Sequence, residues 1–210
     1  MKKLLTILLV LLVAGFAFAA DATEVSNATL TLGSSVEHIL RHGFVKNEVQ
    51  DPDFGTISAV MVSTVNDNDY DTIKLLGETG EETSTYPVGY HYFVANTSET
   101  DYVVAFGVQA FANTDGVQVP YKLEYKELAG SLSNASVSGS GSGVIQSVGA
   151  VAFDGESSNG VTVITTNTTN NGAKHAGLEL EVVINGEDNR NAGIAAGAYT
   201  AYVYANVSSI

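Results

Sequence analysis

The chain of 210 residues has no cysteine, no tryptophan and only three prolines, and its nine basic residues face 23 acidic ones. Each shortage excludes something. Without cysteine there is no disulfide framework, so the core and the backbone ladders must supply stability by themselves. Without tryptophan a sugar-stacking cleft loses its most useful side chain. The formal net charge is −14. That balance argues against nucleic acid and anionic lipid as partners, because both need a positive surface. It favours solubility and is compatible with binding a divalent cation.

The N-terminus reads as a processing signal. Lys2 and Lys3 precede an apolar run from Leu4 to Val13, and Ala17-Phe18-Ala19 gives the small-x-small cleavage pattern. The apolar run is shorter than the roughly 20 residues that a bilayer span needs, which favours cleavage over an uncleaved anchor. The expected domains are therefore a signal peptide over 1–19 and one folded domain over 20–210, with no membrane span after processing. Loss of Lys2 and Lys3 would take the net charge from −14 to −16. The expected location is secreted, periplasmic or at a bacterial cell surface.

Glycine, serine, threonine, asparagine and valine dominate the remainder, and the usual helix formers are sparse. Val119 to Lys126 alternates, with Val119, Tyr121, Leu123 and Tyr125 on one face and Lys122, Glu124 and Lys126 on the other. Leu178 to Ile184 does the same, with Glu179 and Glu181 outward. This period of two is the signature of a strand with one buried face. Val88 to Asn96 and Tyr102 to Phe111 are long apolar runs around a polar turn and read as a hairpin, with Tyr102–Phe106 a central strand covered on both faces. Ala28 to Leu32, Thr56 to Thr64, Thr72 to Leu76, Val144 to Phe153 and Gly160 to Thr166 read as further strands. Val36 to Val45 fits a strand or a short helix with Ser34 and Glu37 as a capping box; the strand is preferred because its surroundings are β. Leu128 to Gly143, rich in serine and glycine, reads as a linker or, preferably, as a surface loop within one domain. Asn185 to Asn191 reads as a polar tip. Ten to twelve short strands separated by turns point to an all-β, antiparallel β-sandwich.

Candidate sites are few. Asp67, Asp69 and Asp71 alternate, with Glu78 following, in the ligand order of a calcium loop. Thr72 stands where such a loop needs glycine, so a solvated acidic turn is the plainer reading, with a looser calcium site the alternative. His38 and His42 would share one face of a helix, as zinc ligands require. On a strand they would lie about 13 Å apart. No nucleophile elbow or phosphate loop is present, so no enzyme is expected. Five Asn-x-Ser/Thr sequons, at Asn27, Asn96, Asn134, Asn167 and Asn206, carry no weight after a bacterial signal.

The last fourteen residues bear on assembly. Tyr199, Ala201, Val203, Ala205 and Val207 alternate with Thr200, Tyr202, Tyr204, Asn206 and Ser208, a strand that ends the chain and must pair with something. Ala196-Gly197-Ala198-Tyr199-Thr200-Ala201-Tyr202-Val203 resembles the closing strand of fimbrial subunits of the spore coat U and Csu pilin type. That resemblance implies an immunoglobulin-like sandwich that assembles by strand exchange with a chaperone and with neighbouring subunits. The residues themselves allow the same reading. An exported sandwich with a strand at each end, Val25, Leu30 and Leu32 marking one and Tyr199, Val203 and Val207 the other, could pair edge to edge. The expectation is a structural or adhesive cell-surface subunit. The alternative is a secreted binding module holding calcium or carbohydrate at the tips around Asp67–Asp71 and Asn185–Asn191; heat released on titrating calcium into the protein would mark the ion-binding version.

Overall fold

The alternating segments form the strands that their pattern demands. The computed structural model describes residues 38–63, 73–77, 82–97, 100–148, 160–167 and 172–210. Among them are eleven strands: β1 (Leu40–Val45), β2 (Thr83–Ala95), β3 (Tyr102–Val108), β4 (Phe111–Ala112), β5 (Gln118–Val119), β6 (Lys122–Glu127), β7 (Ala135–Val137), β8 (Ser142–Gln146), β9 (Val161–Thr166), β10 (Lys174–Asn185) and β11 (Val203–Ser209). Two short helices, α1 (Phe54–Ser63) and α2 (Gly186–Ala192), complete the described elements. A five-stranded sheet has the order β1-β2-β10-β6-β8 and a four-stranded sheet the order β11-β3-β9-β7, with β4-β5 a small ladder beside them. Every pairing within these ladders is antiparallel.

Side chains from the two larger sheets meet in one hydrophobic cluster. Phe93, Leu123, Leu178 and Ile184 enter it from the five-stranded sheet, and Val104, Phe106, Val163 and Ile164 from the four-stranded one. The alternation in β6 and β10 holds: Val119, Tyr121, Leu123 and Tyr125 are buried, as are Leu178, Leu180, Val182 and Ile184. The central position of β3, between β11 and β9, also holds, and all but one of its residues are buried.

A second, smaller cluster lies on the outer face of the five-stranded sheet, where Ile57 of α1 packs with Val45, Val49, Tyr92, Val94 and Leu128. The C-terminal half of β2 is therefore covered on both faces, which explains its unbroken apolar run. The Tyr92 hydroxyl, which would otherwise be stranded there, accepts from the Val49 amide at 2.9 Å.

Several sequence expectations are corrected. Thr56 to Thr64 is not a strand; its described part belongs to α1. Asp53 caps this helix: its carboxylate accepts from the Thr56 amide at 2.8 Å while the Thr56 hydroxyl accepts from the Asp53 amide at 2.9 Å. This reciprocal capping box outweighs the β-preference of the branched residues that follow. Asp53→Ala is expected to lower the urea midpoint through loss of this cap. Residues 73–77 form a turn rather than a strand, closed by the Gly77 amide donating to the Lys74 carbonyl at 2.8 Å. Asn185 to Asn191 is not a loose tip. Asn185 caps α2 by accepting from the Asp188 amide at 3.0 Å, and Gly193 ends the helix in the left-handed region.

The proposed hairpin of Val88–Asn96 with Tyr102–Phe111 does not form. β2 belongs to the five-stranded sheet and β3 to the four-stranded one, so the chain changes sheet between Ala95 and Tyr102. Lys174, the first residue of β10, is fully buried, and its ammonium donates to the Thr97 carbonyl at 2.6 Å and the Thr100 carbonyl at 2.7 Å. Those charge-assisted bonds anchor the crossover to the start of β10. Leu128 to Gly143 is neither linker nor plain loop. It carries β7 and the turn into β8, inside the compact unit Glu37–Ile210. Val36 to Val45 contains strand β1, and no helix is seen in its described part.

One backbone irregularity shapes the five-stranded sheet. The register of β10 on β2 slips between Leu180, opposite Gly89, and Glu181, opposite Pro87. Gly89 has φ +114°, and a Cβ there would sit 2.5 Å from the Val45 carbonyl oxygen. Only glycine allows β1 and β2 to approach this closely beside the bulge.

Candidate functional site

Two outermost strands, one from each sheet, define the flank of interest. β1 ends the five-stranded sheet and β11 ends the order of the four-stranded one. They share a flank, because the Phe44 ring of β1 lies 5.7 Å from Phe106 of β3, the strand beside β11. β11 is zipped to β3 from Val203 opposite Val108 to Ser209 opposite Tyr102. Ile210 extends this by donating its amide to the Asp101 carbonyl at 3.0 Å. Ala201, Val203, Ala205 and Val207 pack against the core cluster, so the inward face read from the alternation is the observed one for these four.

Tyr199 is the exception. It lies before β11, half-buried, with its hydroxyl donating to the Ala195 carbonyl at 3.0 Å. The ladder cannot extend to it because β3, the partner, ends at Val108 opposite Val203. Upstream of Val203 the Gln109 amide donates to the Tyr202 carbonyl, and Thr200 and Ala112 exchange amide and carbonyl bonds, each bond 2.9 Å. Val25, Leu30 and Leu32, and likewise Asp67, Asp69 and Asp71, lie outside the described residues. The side chains of α2 are committed to the backbone: Asn189 donates to the Leu75 carbonyl at 2.6 Å, and Arg190 to that of Leu76.

The histidines regroup in a way that their sequence spacing hides. His38 is bonded to the Thr97 hydroxyl at 2.8 Å, and His175 Nδ1 to the Ser131 carbonyl at 2.8 Å. His42 instead meets His91 of β2, with ring centroids 5.8 Å apart. The register explains this: Phe44 is opposite His91 and His42 opposite Phe93, so the two imidazoles are diagonal neighbours on one sheet face. His91 is 0% exposed, and neither ring nitrogen has a hydrogen-bond partner. Its ring is edge-on to Phe44 at 5.0 Å and to Phe106 at 4.9 Å. Burial holds the His91 pKa well below 6.5, helped by His42. His42 reaches solvent on one side, yet enough protein surrounds the rest that desolvation lowers its pKa too. Both rings are therefore neutral at pH 7.

No group of three or more His, Asp or Glu side chains converges among the described residues. Nor is any described helix long and apolar enough to cross a membrane. No family model, characterised protein or solved structure matches the chain.

Proposed function

We propose that the protein is an exported structural subunit of a bacterial cell surface, pilus-like, built on an immunoglobulin-like antiparallel β-sandwich and assembled by β-strand addition. The observation that carries this reading is the place of β11. The last strand of the chain is the outermost described strand of its sheet, its apolar face is turned to the core, and it shares a flank with β1. On β1, Leu40 is still 40% exposed, an apolar residue on a flank where an added strand would cover it. The segment from Val25 to Leu32 immediately precedes this flank in sequence and contains the alternation that a donated strand needs. The five residues 33–37 can span up to about 17 Å, which exceeds the roughly 10 Å between packed sheets. Backbone pairing would supply affinity along such an edge, and the alternate apolar side chains would supply register.

Deletion of residues 20–33 tests the proposal by size-exclusion chromatography and electron microscopy of the secreted material. Monomers are the expected result. Polymers of unchanged length would overturn it.

A further inference from the structure

We propose that His42 and His91 form a two-coordinate site for a soft monovalent cation, copper(I). This does not depend on how the subunit assembles. A fully buried imidazole with neither nitrogen bonded is costly, and such a group in a native core calls for a specific explanation. A cation bridging to the neighbouring imidazole supplies one. Two metal–nitrogen bonds of about 2 Å, with roughly 1 Å from each nitrogen to its ring centre, place the centroids of a digonal pair about 6 Å apart. The observed separation is 5.8 Å.

The surroundings select the ion. Zinc(II) requires four ligands, and no third His, Asp or Glu joins this pair among the described residues. A divalent charge beside Phe44 and Phe106, without a carboxylate to offset it, would carry a heavy desolvation cost. A monovalent d¹⁰ ion carries half the charge and suits imidazole ligands. A neutral imidazole offers one nitrogen lone pair, so each of the two rings can supply one ligand. The metal keeps its oxidation state on binding. His42, at the solvent-facing end of the pair, provides the path inward.

The purified protein would be titrated with silver(I), a redox-stable probe of the same chemistry, and with copper(I) kept reduced by ascorbate against a chromophoric competitor. The chain has no cysteine to capture either ion. One equivalent should bind and raise the melting temperature. Affinity should fall at least tenfold in both His42→Ala and His91→Leu, and zinc(II) should leave the melting temperature unchanged. His42→Ala is a rim substitution that leaves the core intact, so it separates loss of a ligand from loss of the fold. Unchanged affinity in both variants, or zinc(II) binding as tightly as silver(I), would overturn the proposal.

Discussion

In the metal-free protein, His91→Leu is expected to raise stability, and by more in acid than at neutral pH. At pH 7.5 both the folded and the unfolded chain hold this histidine neutral, and the gain comes from removing two polar atoms that are buried without partners. Each such atom costs about 1–3 kcal/mol, and repacking leucine between Phe44 and Phe106 offsets up to about 1.5 kcal/mol, so a net gain of about 0.5–6 kcal/mol is expected. Below pH 6.5 a second contribution appears. The folded-state pKa is depressed, so the unfolded chain binds a proton that the folded chain refuses. Stability is therefore complete above 6.5 and declines as pH falls below it, by about 1.4 kcal/mol per pH unit while the folded form stays neutral. As pH falls through this range the wild type loses stability through this one group, and the leucine variant loses none of it. Urea unfolding of both proteins at pH 7.5, 6 and 5 measures the gap, and the slope between 6.5 and 5 precedes most carboxylate titration. A gap that stays constant across that range would mean that His91 is not held neutral in the folded state. Silver(I) or copper(I) would act in the opposite direction, stabilising the wild type alone.

The strands with one buried face could be read from sequence. The alternation of apolar with charged residues runs from Lys122 to Lys126 in β6 and from Leu178 to Val182 in β10, and a one-residue slip would turn Leu123 or Leu180 to solvent, so pattern and structure agree there. The inward face of β11 was legible for the same reason, although its start at Val203 depends on where β3 ends. What failed was non-local. Whether residues 96–101 close a hairpin or cross between sheets depends on which partners β2 and β3 find far along the chain, β10 and β11. Ile57 to Val62 has strand composition, which masks α1, and the deciding signal is Asp53 three residues before Thr56. The same is true of α2, where Asn185 and Gly193 bracket the helix. The His42–His91 pair is 49 positions apart and exists only through the β1–β2 register, so the more obvious pair at His38 and His42 drew attention to the wrong partner.

Lys174→Met is expected to be the most damaging of the substitutions considered, and the reason is an asymmetry. Replacing a buried ion pair by apolar residues is often neutral, because both desolvated partners leave together. At Lys174 only one partner can leave. Its acceptors are the backbone carbonyls of Thr97 and Thr100, which stay in the half-buried crossover whatever occupies position 174. Methionine fills most of the vacated volume, so the loss is of hydrogen bonding rather than packing. Bonds from a charged donor contribute about 1.5–3 kcal/mol each, and relief of the ammonium's own desolvation returns part of that, leaving an expected loss of about 2–4 kcal/mol. The damage should be localised. Tyr102 at the start of β3 shares a hydrogen bond with Thr97, and its amide donates to the Thr166 hydroxyl at 2.8 Å, so amides from 96 to 102 should exchange faster than those of β6. A drop in the urea midpoint with no change in exchange at the crossover would place the lysine's contribution elsewhere. If the expected pattern is found, one buried cation holds together one of the several junctions that join the two sheets.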